Sequence, residues 1–321
     1  RAEIWLTAAL LAAVLAIGGI LGFRLNLPRG DSGALVGIHY LYPLIGIAIW
    51  GALAFIGQKM HLAQTFLVAL PCYAVVLICH FNLKLWAPHI NPILWDSLYW
   101  QFDIALRPLV DGCLALRRAM AGVVPLDSNI YMTAFISMFY LSFCFHAVRD
   151  PHHFRTLFLA ALIFQGAGGL AYLVMPALGP FIYETGVEPI QTAAQQSMLR
   201  IYHENLDGGS PWISAHGATY LTTGLAAMPS LHTGGSFLFL LFAWRYARVL
   251  TVIYVPLFGF IAINAVASRW HYLIDLPVGI ALALGSAWIA ERLNPRAAAR
   301  RKTQDSNRKA SRASAQAISN S

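Results

Sequence analysis

Charge is what this chain has least of. Asp, Glu, Lys and Arg make up only 11% of its 321 residues, less than half the share, about 25%, that clothes a soluble globular domain. A water-facing surface cannot be built from so few, and a soluble enzyme or binding module is excluded. Cysteine is scarce as well. Cys72, Cys79 and Cys144 lie inside apolar runs and Cys113 has no obvious partner, so neither a disulfide framework nor a zinc or redox site follows. No internal repeat and no Gly-rich phosphate loop after a candidate strand is present. What the chain has in excess is apolar: 58% of residues are hydrophobic and the mean hydropathy is +0.59. Lipid is the solvent for most of it.

Eight apolar runs, at 4–23, 40–57, 62–81, 130–148, 157–175, 234–245, 250–267 and 276–289, approach the roughly 20 helical residues needed to cross about 30 Å of hydrocarbon. The first is too long for a signal-peptide core alone, and the sixth is short and starts inside the motif before it. The expected fold is all-α: a polytopic transmembrane helical bundle of about eight spans, six of them forming the core. The chain divides into N-terminal transmembrane helices (1–85), an outward interfacial region (86–129), a membrane-embedded core (130–294) and a tail (295–321).

The formal net charge is +8, and most of it sits in the tail. Arg296, Arg300, Arg301, Lys302, Arg308, Lys309 and Arg312 face one acid there, Asp305. The segment is polar, without apolar period, and reads as a disordered arm that marks the cytoplasmic side and is drawn to anionic lipid, by about 1 kcal/mol per basic residue. It is not a nucleic-acid patch. With the tail inside, Arg1, Lys59, Arg149, Arg155, Arg245, Arg248 and Arg292 share its side with three acids, while eight basic residues and ten acids share the other. This asymmetry puts both termini inside.

Two outward segments are too long to be turns. In the first, 84–129, Leu94, Leu98, Phe102 and Leu106 recur at spacing four while Asp96, Asp103 and Arg107 fall elsewhere on the wheel. This reads as an interfacial helix with Trp95 and Trp100 at headgroup level, and a packing or lid role without chemistry is expected for its acids.

The second, 176–227, leads into Met228-Pro-Ser-Leu-His232 at the mouth of the sixth span, and Arg269-Trp-His271-Tyr-Leu-Ile-Asp275 opens the eighth at the same face. His271 and Asp275, four apart, share one helical face, so the carboxylate can accept a hydrogen bond from one ring nitrogen and leave the other as a nucleophile. Singly, Ser230 and His232 read as a capped helix start, the His/Asp pair as a structural hydrogen bond and Arg269 as a snorkelling cation. Together at two span mouths on one face they point to function, because ionisable groups left unpaired at a membrane boundary are costly.

The strings Met228-Pro-Ser-Leu-His232 and Arg269-x-His271-Tyr272-x-x-Asp275 resemble the type 2 phosphatidic acid phosphatase superfamily. Met175-Pro-Ala-Leu-Gly-Pro180 is similar to a segment of its inositol phosphorylceramide synthase-like branch, and the resemblance runs from about residue 90 to 290. The usual Lys-x6-Arg-Pro motif is not evident, and Arg269 stands two residues before His271 where the common phosphatase form has six. The resemblance implies that His271, oriented by Asp275, attacks phosphorus and that His232 serves as acid and then base. Ser230, Arg269 and Gly234 would hold the phosphate, with Arg200 and Lys84 as further cations. It implies no metal or other cofactor. The partners are membrane lipids: a phospholipid donor, and a lipid hydroxyl or water as acceptor. A lipid phosphate phosphatase is the first alternative. A transporter or scramblase is a weaker one, since it would place polar residues mid-span.

Overall fold

With no water in a bilayer core, a spanning backbone must satisfy its own hydrogen bonds, and helices do so within one segment. The computed structural model describes residues 1–30, 60–122, 128–187 and 189–294, with isolated positions between 45 and 56. Beyond those isolated positions the expected span at 40–57 lies outside the described residues, as does the tail from 295. Among the described residues there are ten α-helices and no strand. They are α1 (Ala2–Leu21), α2 (Met60–Ile90), α3 (Asp96–Ala105), α4 (Arg107–Ala121), α5 (Ser128–Arg149), α6 (Pro151–Ala171), α7 (Pro189–His216), α8 (Leu231–Tyr246), α9 (Arg248–Ala267) and α10 (Asp275–Leu293).

By length and composition α1, α2, α5, α6, α9 and α10 can each cross a membrane, and the chain is a polytopic helical bundle. The sixth expected span, 234–245, falls on α8, which has 16 residues and a length of about 24 Å, short of a full hydrocarbon core. It is nonetheless enclosed by other helices. It packs against α5, α6, α9 and α10, and its Phe239 and Phe242 enter a cluster with Phe139, Phe143, Phe154 and Phe158, where Phe139 and Phe143 stand 4.5 Å apart between ring centroids. Its first turns carry small residues, with Thr233, Gly234, Gly235 and Ser236 all buried. Small side chains let backbones approach where lipid offers no hydrophobic drive. A Cβ on Gly234 would lie 2.8 Å from the carbonyl carbon of Gly279 in α10, so the two helices touch through their glycines.

The amphipathic helix α3 is turned opposite to a soluble helix. Leu98, Phe102 and Leu106 are 42%, 41% and 43% exposed, whereas Asp96, Tyr99 and Asp103, at spacings of three and four, are buried. In a bilayer the apolar side is the solvent side, so the acidic face is the one that packs inward. The neighbouring α4 packs on α9, where buried Arg117 donates to the Asn264 side chain. Two further elements exceed the expected boundaries. α2 continues through Pro71 and Pro88 to Ile90, and α7 forms 28 residues of helix, kinked at Gly209 (φ 52°), in the second outward segment.

Candidate active site

The chemistry-bearing residues gather where α8 and α10 begin. α9 ends at Ala267, and a seven-residue turn, 268–274, reverses the chain into α10. His271 stands at its centre, fixed by its own amide donating to the Ala265 carbonyl at 3.1 Å. Its Nδ1 and Asp275 Oδ2 are 3.2 Å apart, and the Tyr272 amide donates to the same oxygen at 3.0 Å. Asp275 is fully buried and the His271 side chain is 13% exposed, so the acid orients and the imidazole reaches out. A His whose Nδ1–H is held by carboxylate keeps Nε2 as acceptor or nucleophile.

The N-terminus of α8 is bound to this turn directly. The Ser230 amide donates to the Asp275 carbonyl at 3.2 Å, and the Ser230 hydroxyl donates to Thr233 Oγ1 at 3.0 Å. One residue past Leu231, His232 stands edge-on to Phe135 (4.8 Å) and Tyr131 (5.4 Å). His271 and Lys84 of α2 are near enough to His232 to interact with it electrostatically. Lys84 Nζ lies 5.0 Å from the centre of the Tyr172 ring, and among the described residues no carboxylate forms an ion pair with it. Gly234 has its amide on the Ser230 carbonyl at 3.0 Å and serves the α8–α10 approach.

The turn is buttressed from outside by α3. Asp96 accepts from the amides of Leu178 (3.0 Å) and Gly179 (2.9 Å) and from the Tyr272 hydroxyl (2.7 Å). Gly179 is required there, since its φ is 127° and a Cβ would sit 2.7 Å from the Trp270 carbonyl oxygen. Asp103 accepts from the Leu273 amide at 2.8 Å and from Arg269 Nη2 at 3.0 Å. Arg269 Nη2 is also 2.7 Å from Glu184 Oε2, and Arg107 donates to the other Glu184 oxygen at 2.5 Å. Burial pushes the Asp96 and Asp103 carboxyls up from the usual carboxylate range, against the hydrogen bonds that hold them down.

Of the residues singled out in the sequence, the structure therefore brings together His271, Asp275, Ser230, His232 and Lys84. Arg269 is beside them but engaged with Asp103 and Glu184. Arg200 is elsewhere, half-exposed on α7 and paired with Glu204 at 2.7 Å. His146 and His153 lie at the far end of the bundle, where His153 is bonded to Asp150 and stacked 3.8 Å from Tyr246. Asp96, Asp103 and Glu184 were not read as part of the site. The i, i+3, i+7 recurrence of Asp96, Tyr99 and Asp103 was the signal available. Among the described residues no three His, Cys, Asp or Glu side chains gather as a metal ion would need.

The site is thus a histidine held by a buried carboxylate, joined to the start of a second helix of a polytopic helical bundle. The chain belongs to the PAP2 superfamily, whose family model matches residues 113–289, and whose members are generally phosphatases and phosphotransferases acting on phosphate esters. Comparison with curated proteins and with solved structures finds no match.

Proposed function

We propose that this chain is an integral-membrane lipid phosphotransferase, moving a phosphorylated headgroup between lipids through a phosphohistidine on His271. The observation that carries the reading is the His271–Asp275 hydrogen bond on the turn to which Ser230, two residues before His232, is bonded. The Nε2 lone pair attacks phosphorus as the P–O bond to the donor lipid breaks, and His232, as imidazolium, gives its proton to the leaving oxygen. The acceptor hydroxyl then loses its proton to His232 and attacks phosphorus. The P–N bond breaks and His271 is restored. Lys84, the Ser230 hydroxyl and the first free amides of α8 neutralise the transferring oxygens, where charge stabilisation matters most.

A donor phospholipid and a ceramide-like or diacylglycerol hydroxyl fit this scheme, as in the inositol phosphorylceramide synthase-like branch. Asp103 of α3 and Gln191 and Gln195 of α7 bond to the turn that carries His271, which supports a site sheltered from water and so favours transfer. Charge asymmetry supports a cytoplasmic basic tail and a site on the opposite side; in a bacterium that is the inner membrane with the chemistry facing the periplasm. The test is an assay with a radiolabelled phospholipid donor in the presence and absence of each acceptor. Labelled product lipid that appears only with acceptor supports transfer. Release of the free phosphorylated headgroup in every case assigns the chain to hydrolysis.

A further inference from the structure

The two oxygens of Asp103 reach residues placed symmetrically about His271. Oδ2 pairs with the guanidinium of Arg269, two residues before, and Oδ1 accepts from the amide of Leu273, two residues after. Asp103 is completely buried and Arg269 is 1% exposed. The turn they hold contains a backbone conformation rare for an L side chain, since Arg269 has φ 60°. Its amide donates to the Val266 carbonyl at 3.0 Å and its carbonyl accepts from the Phe181 amide at 3.2 Å, so main chain and side chain are anchored to three different elements. Its guanidinium lies 5.8 Å from the centre of the Trp100 ring, and Trp100 in turn stacks on Tyr183 at 5.0 Å.

We propose that Asp103 is a positioning residue that clamps the His271 turn from both sides, and that Arg269 is its counter-ion and a latch for the turn, while the phosphate is met by Lys84. The inference rests on the phosphotransferase reading for its catalytic readout but not for its structural one. The guanidinium's charge is matched by Asp103 and Glu184 through Nη2 alone, while its Nε and Nη1 are buried without a hydrogen-bond partner, so the donor KM of an Arg269 variant reports whether those two nitrogens meet the phosphate. A Cβ-bearing residue in the left-handed region persists only where surrounding contacts over-determine it, and here those contacts are Asp103, Glu184 and Phe181.

Glycine reports the backbone strain of the turn, and the donor KM separates a latch from a ligand. Arg269→Gly and Arg269→Ala both remove the guanidinium and leave the same carboxylates behind, but only glycine takes the left-handed backbone freely. The clamp predicts that Arg269→Gly retains roughly fivefold more kcat than Arg269→Ala, with donor KM unchanged in both. Asp103→Ala should lower kcat on the order of a hundredfold through misplacement of the imidazole. The pair Asp103→Asn with Arg269→Gln, whose amides can bond to each other, should recover activity relative to Asp103→Asn alone. The same order, Gly above Ala and the double variant above Asp103→Asn, is expected in thermal unfolding, which needs no turnover. Equal losses in Gly and Ala with a raised donor KM, and multiplicative losses in the double variant, would overturn the clamp and make Arg269 a phosphate ligand. If wild-type protein gains no phosphate on His271, the phosphotransferase reading fails instead, and the unfolding of the double variant against Asp103→Asn still decides the clamp.

Discussion

Gly279 is the place where a single methyl group should disturb the chemistry most cleanly. It lies one turn into α10, buried, four residues after Asp275. A Cβ there would come 3.2 Å from the Ser230 carbonyl carbon, closer still to its oxygen, and 3.4 Å from the Gly234 nitrogen. Ordinary contact between such atoms needs about 3.5–4.0 Å, so Gly279→Ala must drive the start of α8 away from α10 by several tenths of an ångström to about 1 Å. The atoms displaced are backbone, with no flexible side chain to yield, and overpacking of this sort costs about 1–3 kcal/mol. The displacement also separates the Ser230 and His232 elements from His271. A 1 Å misplacement costs on the order of 10²-fold in rate. Gly285→Ala, on the same helix with nothing within 4 Å of the added Cβ, is the control and should be neutral or stabilising by up to about 1 kcal/mol through helix propensity. The assay is thermal unfolding in nanodiscs beside single-turnover transfer from a labelled donor. A Gly279→Ala protein as stable and as fast as the Gly285→Ala control would refute the reasoning.

The remaining predictions concern the reacting groups. Asp275→Asn leaves the shape of the site but lets the imidazole take the wrong tautomer, and should lower kcat by about 10²–10⁴-fold with little change in thermal stability relative to Asp275→Ala. His232→Ala should slow transfer from a lipid donor by about 10²–10⁴-fold, and less from a donor whose leaving group needs no proton, such as a nitrophenyl ester; equal losses on both donors would remove His232 from the acid role. Lys84→Met should raise donor KM and lower kcat together, and a variant with unchanged kinetics assigns the phosphate charge elsewhere. Asp96→Ala, which frees the Leu178 and Gly179 amides and the Tyr272 hydroxyl at once, should cost more in unfolding temperature than Ser97→Ala at the exposed neighbouring position.

Much of the bundle was legible because lipid makes the pattern simple. The runs at 4–23, 130–148, 157–175, 250–267 and 276–289 fall on α1, α5, α6, α9 and α10 with bounds that differ by at most six residues, since a spanning helix announces itself by length and apolarity alone. The pairing of His271 with Asp275 was legible for a local reason: four residues on one helical turn fix their separation. Where polarity and position interact the reading fell short. Asn82 and Lys84 ended the apolar run of α2 in the sequence, yet the helix carries on to Ile90 and brings Lys84 to the site, because Asn82 spends its side chain on the Asn26 and Ile78 carbonyls. In α3 the apolar row was the visible feature and a packing role was expected for the acids, but not which residues they hold. Their bonds are to Leu178, Gly179, Arg269 and Leu273, dozens to more than a hundred residues away, and no spacing rule reaches that far. The approach of Gly234 to Gly279 is equally silent in sequence, since it depends on how two helices cross.

The central claim is that phosphorus passes through His271. Wild-type protein in nanodiscs, mixed with a donor lipid labelled in its phosphate and quenched in alkali within one turnover, should carry label on a peptide containing His271, stable to base and lost in acid. The label should be absent from His271→Ala and should disappear from the wild type when an acceptor lipid is added. Full transfer by His271→Ala, or label held on any other residue, would contradict the account.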